Sequence, residues 1–154
     1  MSMKFMNGNI IRVISLIAVI LWIALIFSLS AQPAEQSNNL SNGIVRTVIE
    51  AIERAIPGLE VDMADLNHLV RKYAHFFAYF ILGILMVFTL GRMGVRGFKG
   101  ITISIIVCIL LAIADEIHQS FVPGRGPQVT DVMIDSIGSI FGIGVYRLFS
   151  RLVG

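Results

Sequence analysis

The chain has 154 residues, 56% hydrophobic and 14% charged, with a formal net charge of +2. Ordinary soluble domains carry about 25% charged residues, so this composition and a mean hydropathy of +0.83 exclude that class. So small a net charge gives no reason to expect a nucleic-acid partner, and the single Cys108 excludes a disulfide within the chain.

Four apolar runs follow one another: 13–29, 75–90, 101–114 and 132–148. A spanning helix needs about 20 residues, and each run reaches that length once flanking polar residues join it. The expected spans are 11–30, 71–90, 101–120 and 131–149. The start of the chain also fits a signal peptide, with Lys4, an apolar stretch and Ser28-Leu29-Ser30-Ala31. The apolar stretch exceeds the about 7–15 residues of a signal core, so a retained span is expected.

The first connection carries a helical stripe. Ile44, Val45, Val48, Ile49, Ile52 and Ile56 share one face, and Arg46, Glu50 and Arg54 line the opposite face at i,i+4 spacing. Ser41 or Asn42 caps the start, and Pro57-Gly58 ends it. An amphipathic helix over 42–56 is expected, either in the membrane interface or packed on the ends of the spans. The fold class is therefore an all-α integral membrane four-helix bundle with one extra interfacial helix, a single domain over 1–154.

The charges are segregated by connection. Lys4 and Arg12 lie before and at the start of the first span, Arg92, Arg96 and Lys99 lie between the second and third, and Arg147 and Arg151 lie at and beyond the end of the fourth. All 10 acidic residues fall on the other side. The positive-inside rule then places both termini in the cytoplasm, with the acidic side facing outward.

Helical rise places the polar side chains in depth. Counting from Gly91, His75 lies roughly 24 Å above the cytoplasmic end and Tyr79 about 18 Å. Asp115 is roughly 22 Å from Gly100, and from Arg147 Asp135 is about 18 Å and Asp131 about 24 Å. The hydrocarbon core is about 30 Å thick, so three helices bring ionisable groups to one level in the outer leaflet. His68, Lys72, His75 and Tyr79 share a helix face, Asp115 with His118 and Glu116 with Gln119 are i,i+3 pairs, and Asp131 with Asp135 is an i,i+4 pair. The Gly- and Pro-rich turn 123–127 presents Arg125 over this level. Gly138 and Gly142 form a small-xxx-small face that suits close helix approach, and an oligomer through it is one expectation.

At these residues the chain resembles the VanZ-like family of small bacterial membrane proteins, which implies the cytoplasmic membrane of a bacterium. Three motifs carry the resemblance: Phe27-Ser-Leu-Ser30-Ala-Gln-Pro33; Lys72-Tyr-Ala-His75-Phe-Phe-Ala-Tyr79-Phe-Ile-Leu82-Gly83; and Asp115-Glu116 through Gln119, Phe121, Arg125 and Asp131 to Asp135 and Gly138. Ala78 departs from the pattern, since many members carry Glu there, and Asn is also common at the position of Asp135. The namesake of the family is linked to low-level resistance to the glycopeptide teicoplanin.

Ionisable side chains within apolar spans mark functional sites by default. One reading is an enzyme acting on a lipid or lipid-linked cell-wall precursor. Lys72 and Arg125 would hold an anionic head group, His75 and Glu116 would act as general base and acid in either order, and Asp131 would orient Arg125 or His75. Tyr79, Asp115, Gln119 and Asp135 complete the pocket. A second reading is a binder that uses the same groups without catalysis. A third is an ion-pair network that only fixes helix register. No cofactor and no metal are assigned, although His75, His118, Asp115 and Glu116 are types that ligate metals.

Overall fold

A computed structural model describes residues 2–55 and 62–152. Five helices follow in order: α1 Ser2–Ser30, α2 Ala34–Ala55, α3 Met63–Arg92, α4 Gly97–Gln119 and α5 Val129–Leu152. There is no strand among the described residues. α1 from Gly8, α3, α4 and α5 are long and apolar enough to cross a membrane.

Two helices begin well before the apolar pattern does. The Asp62 side chain accepts from the Ala64 N–H at 2.8 Å, satisfying a free donor of the first turn, and α3 starts at Met63 rather than near 71. α2 starts at Ala34, not at 42, because the polar stretch that follows Pro33 is helical although it carries no apolar stripe. Asn42 therefore lies inside α2 instead of capping it, and the expected stop at Pro57-Gly58 lies outside the described residues. α2 packs on α3. Val45 of its apolar stripe is fully buried, and the Asn67 amide donates to Asn42 at 3.3 Å. Arg54 and Glu50 pair on the exposed face at 3.8 Å.

The bundle is apolar on its outside. Ile14, Ile17 and Leu21 of α1, Ile106, Leu110 and Ile117 of α4, and Met133, Ile137 and Phe141 of α5 are all exposed. So much exposed apolar surface is foreign to a soluble monomer and matches contact with lipid. Inside, Val19, Ile26, Tyr79, Leu82, Met86, Cys108 and Ala112 form the core. α1 is tied into it: the Trp22 indole N–H donates to the Ala78 carbonyl at 2.9 Å, and the Thr89 hydroxyl to the Ser15 carbonyl at 3.3 Å.

The tightest contact is between α3 and α5. A Cβ on Gly138 or Gly142 would meet the backbone of Phe76 or Phe80, and a Cβ on Gly83 the backbone of Ser139. Without hydrophobic drive between helices in lipid, such close backbone contact is a main source of packing energy. The Gly138/Gly142 face is thus packed against α3 of the same chain.

Gly142→Ala should therefore lower stability by about 1–3 kcal/mol through overpacking. Gly144→Ala, where a Cβ meets nothing within 4 Å, should not lower it and should raise it by up to about 1 kcal/mol through helix propensity. Unfolding midpoints of the two variants in detergent check this.

Candidate functional site

The polar cluster forms where α3, α4 and α5 converge near one end of the bundle. His75 comes from the middle of α3, Asp115 from the last turns of α4, and Asp135 from the second turn of α5. Asp115 and Asp135 are 0% and 2% exposed, among the most buried side chains of the fold. One ligand-type atom from each of the three lies within 4.8 Å of the others. His75 Nδ1 sits 3.4 Å from Asp135 Oδ2.

Asp115 is held from two sides. The Ser30 hydroxyl at the end of α1 donates to Asp115 Oδ2 at 2.8 Å. The Gln119 amide donates to the same oxygen at 3.3 Å and to the Ser30 hydroxyl at 3.2 Å. Gln119 Oε1 in turn accepts from Arg125 Nη1 at 3.1 Å. The turn after α4 makes this reach feasible, with Gly124 at φ +75° in the left-handed region that favours glycine. A chain of contacts thus runs from Arg125 at the membrane edge to the buried carboxylate.

The remaining groups are engaged elsewhere. Glu116 accepts from the Gln128 backbone N–H and so ties the end of the 120–128 turn to α4. Asp131 faces Lys72 at 4.0 Å. Its direct partner is thus Lys72 rather than Arg125 or His75, and the carboxylates next to His75 are Asp135 and Asp115 rather than Glu116. Helical rise fixes depth but not rotation, which is why the partners differ. His118 is exposed, with its ring 5.9 Å from that of Phe27, and is not one of the three clustered ligand-type side chains. Ser30 and Gln128 were not singled out as site residues; the sequence signal for Ser30 is its place in the last turn of the first span.

Several buried polar atoms have no hydrogen-bond partner among the described residues: Tyr79 Oη, Asp115 Oδ1, Asp135 Oδ1 and Arg125 Nε. Tyr79 is fully buried one turn beyond His75 and within electrostatic reach of both Asp115 and Asp135. Around Arg125, burial and then the like charge of Arg71 push the guanidinium below its ordinary value, opposed by Asp115, Asp131 and Glu116. Arg71, Lys72 and Arg125 make the mouth of the cluster cationic over an acidic floor. A small crevice of about 60 Å³, lined by Ile26, Leu29, Ser30, Ala74, His75 and Ala78, lies between α1 and α3 and reaches both His75 and Ser30.

The fold and this centre define a four-span helical membrane protein with a buried imidazole–carboxylate cluster. The chain belongs to the VanZ/LLP1 family, whose model matches residues 15–150. No curated protein and no solved structure is matched.

Ser30→Ala should destabilise the protein by about 2 kcal/mol, the size of a buried hydrogen bond to a charged group. In an Asp115→Leu background the same change should cost much less, because the acceptor is gone. Unfolding of the four proteins of this cycle measures the difference.

Proposed function

We propose that this VanZ-family membrane protein binds the anionic head group of a membrane lipid or lipid-linked cell-wall precursor, at the end of the bundle that carries the cluster. The observation behind this reading is an apolar groove of about 290 Å³ lined by Leu69, Lys72, Tyr73, Phe76 and Ile134. It sets an ammonium group at the edge of an apolar wall, the arrangement that a phosphate attached to an acyl or prenyl chain requires. Lys72 keeps a quarter of its side chain exposed, and its 4.0 Å separation from Asp131 is long for an ion pair. It is therefore free to turn to a phosphate, with Arg125 able to supply the planar, paired donors that phosphates favour.

Position supports the same reading. With both termini in the cytoplasm, as the basic connections favour, the groove opens at head-group depth in the outer leaflet of the cytoplasmic membrane. Precursors of the bacterial wall pass through that leaflet on lipid carriers. A protein that occupies their head groups would alter how a lipoglycopeptide such as teicoplanin reaches its target, in line with the link that the family resemblance brings. An ion-pair network that only fixes register leaves the groove and the cationic mouth without a purpose.

Protein extracted in mild detergent should carry an anionic lipid enriched over the bulk membrane, detected by mass spectrometry. The Lys72→Ala/Arg125→Ala protein should carry at least fivefold less of it. Identical lipid profiles for the two proteins would contradict the reading. In a Cys108→Ser background, a cysteine at Gly126 should react with an impermeant maleimide added to intact cells. One at Gly94 should not react, and the reverse pattern would place the groove in the inner leaflet.

A further inference from the structure

We propose that His75, Asp115 and Asp135 form a binding site for one divalent transition-metal cation of the Zn²⁺ or Mn²⁺ class. The site lies inside the bundle, and its basis is independent of the lipid reading.

The geometry comes first. Three helices each deliver one ligand-type side chain, and the candidate atoms lie within 4.8 Å of one another. Ligands around one such ion sit about 2.0–2.2 Å from it, so small side-chain rotations close the set. An imidazole and two carboxylates are a mixed nitrogen and oxygen set, which favours Zn²⁺ or Mn²⁺ over the all-oxygen surroundings of Ca²⁺ or Mg²⁺.

Charge points the same way. With both carboxylates ionised, as metal ligands must be, the centre is net negative even when the imidazole is protonated. Neither nearby cation contacts this centre: Lys72 lies on the Asp131 side at 4.0 Å, and Arg125 donates to Gln119. An uncompensated charge in an apolar interior is costly, and a divalent ion removes the imbalance.

The free atoms are the independent sign of a ligand. Asp115 Oδ1 and Asp135 Oδ1 are buried without a hydrogen-bond partner among the described residues, as is the hydroxyl of fully buried Tyr79. A network built only to fix register would be expected to use these oxygens, since buried polar atoms are nearly always paired. The outer support is already in place. Ser30 and Gln119 both donate to Asp115 Oδ2, fixing the carboxylate and leaving Oδ1 for the ion.

The test is metal content. Untagged protein is incubated in detergent with Zn²⁺ or Mn²⁺, desalted and assayed by plasma mass spectrometry. The wild type should hold about one ion per chain, and EDTA should lower its unfolding midpoint. The Asp115→Leu/Asp135→Leu protein should hold at least tenfold less metal and ignore EDTA. Asp131→Asn, which leaves the three ligands intact, should keep the ion. The proposal is overturned by a wild type that holds no stoichiometric metal and unfolds at the same temperature with or without EDTA. Equal metal in the wild type and the double Leu variant also overturns it. Should the double variant fail to fold, the wild-type measurements decide alone.

Discussion

The contact between His75 Nδ1 and Asp135 Oδ2, at 3.4 Å, joins α3 to α5 inside a bundle whose outer surface is apolar. Charged groups lose their water when they enter such an interior, and only close, well-directed partners offset that loss. Much of the local architecture serves this requirement. The Phe76 backbone rests against Gly138, one turn beyond Asp135 on α5, so His75 is carried up to the carboxylate. From the other side α4 brings Asp115, and α1 ends on Ser30, whose hydroxyl holds it. A larger residue at Gly138 would push α3 and α5 apart and leave both charges without a partner.

The two ends of the bundle are built on different principles. At the cluster end the helices are joined through side chains that reach across the interior. At the end that holds the termini, the links are cations on backbone carbonyls. Arg12 Nε donates to the Arg92 carbonyl at 2.8 Å, and Arg96 Nε to the Gly91 carbonyl at 3.3 Å. Basic side chains at the last carbonyls of a helix also complement its dipole. This contrast gives the molecule a polarity along its axis, with acidic and mixed charge at one end and basic charge at the other. The basic connections and the polar centre are thus kept far apart along the same helices.

Much of the fold was legible in the sequence. Four apolar runs, extended by their polar flanks to spanning length, announced the four long apolar helices, and helical rise alone put His75, Asp115, Asp131 and Asp135 at a similar depth. Pairing was harder to read. Which carboxylate meets His75 depends on how each helix is rotated, and the close approach at Gly83, Gly138 and Gly142 sets that rotation for α3 and α5. The same glycines announce a close approach without saying which helix makes it. Ser30 was hard to single out because a lone hydroxyl at a span's end has no periodic signature. The first turns of α2 and α3 were missed for a related reason: α2 opens on a polar stretch and α3 on the Asp62 cap, while the pattern that announces a helix is apolar.

The account rests on one claim, that side chains from separate helices form a single energetically coupled centre. A double-mutant cycle between His75→Leu and Asp135→Leu, read from unfolding free energies in detergent, tests it most directly. Groups in direct contact within a buried polar network typically couple by about 0.5–3 kcal/mol, while independent sites add to within about 0.3–0.5 kcal/mol. The account predicts a coupling of at least about 1 kcal/mol, the double variant being less destabilised than the sum of the singles. Simple additivity would contradict it, and would show that the two side chains do not act on each other in the folded protein.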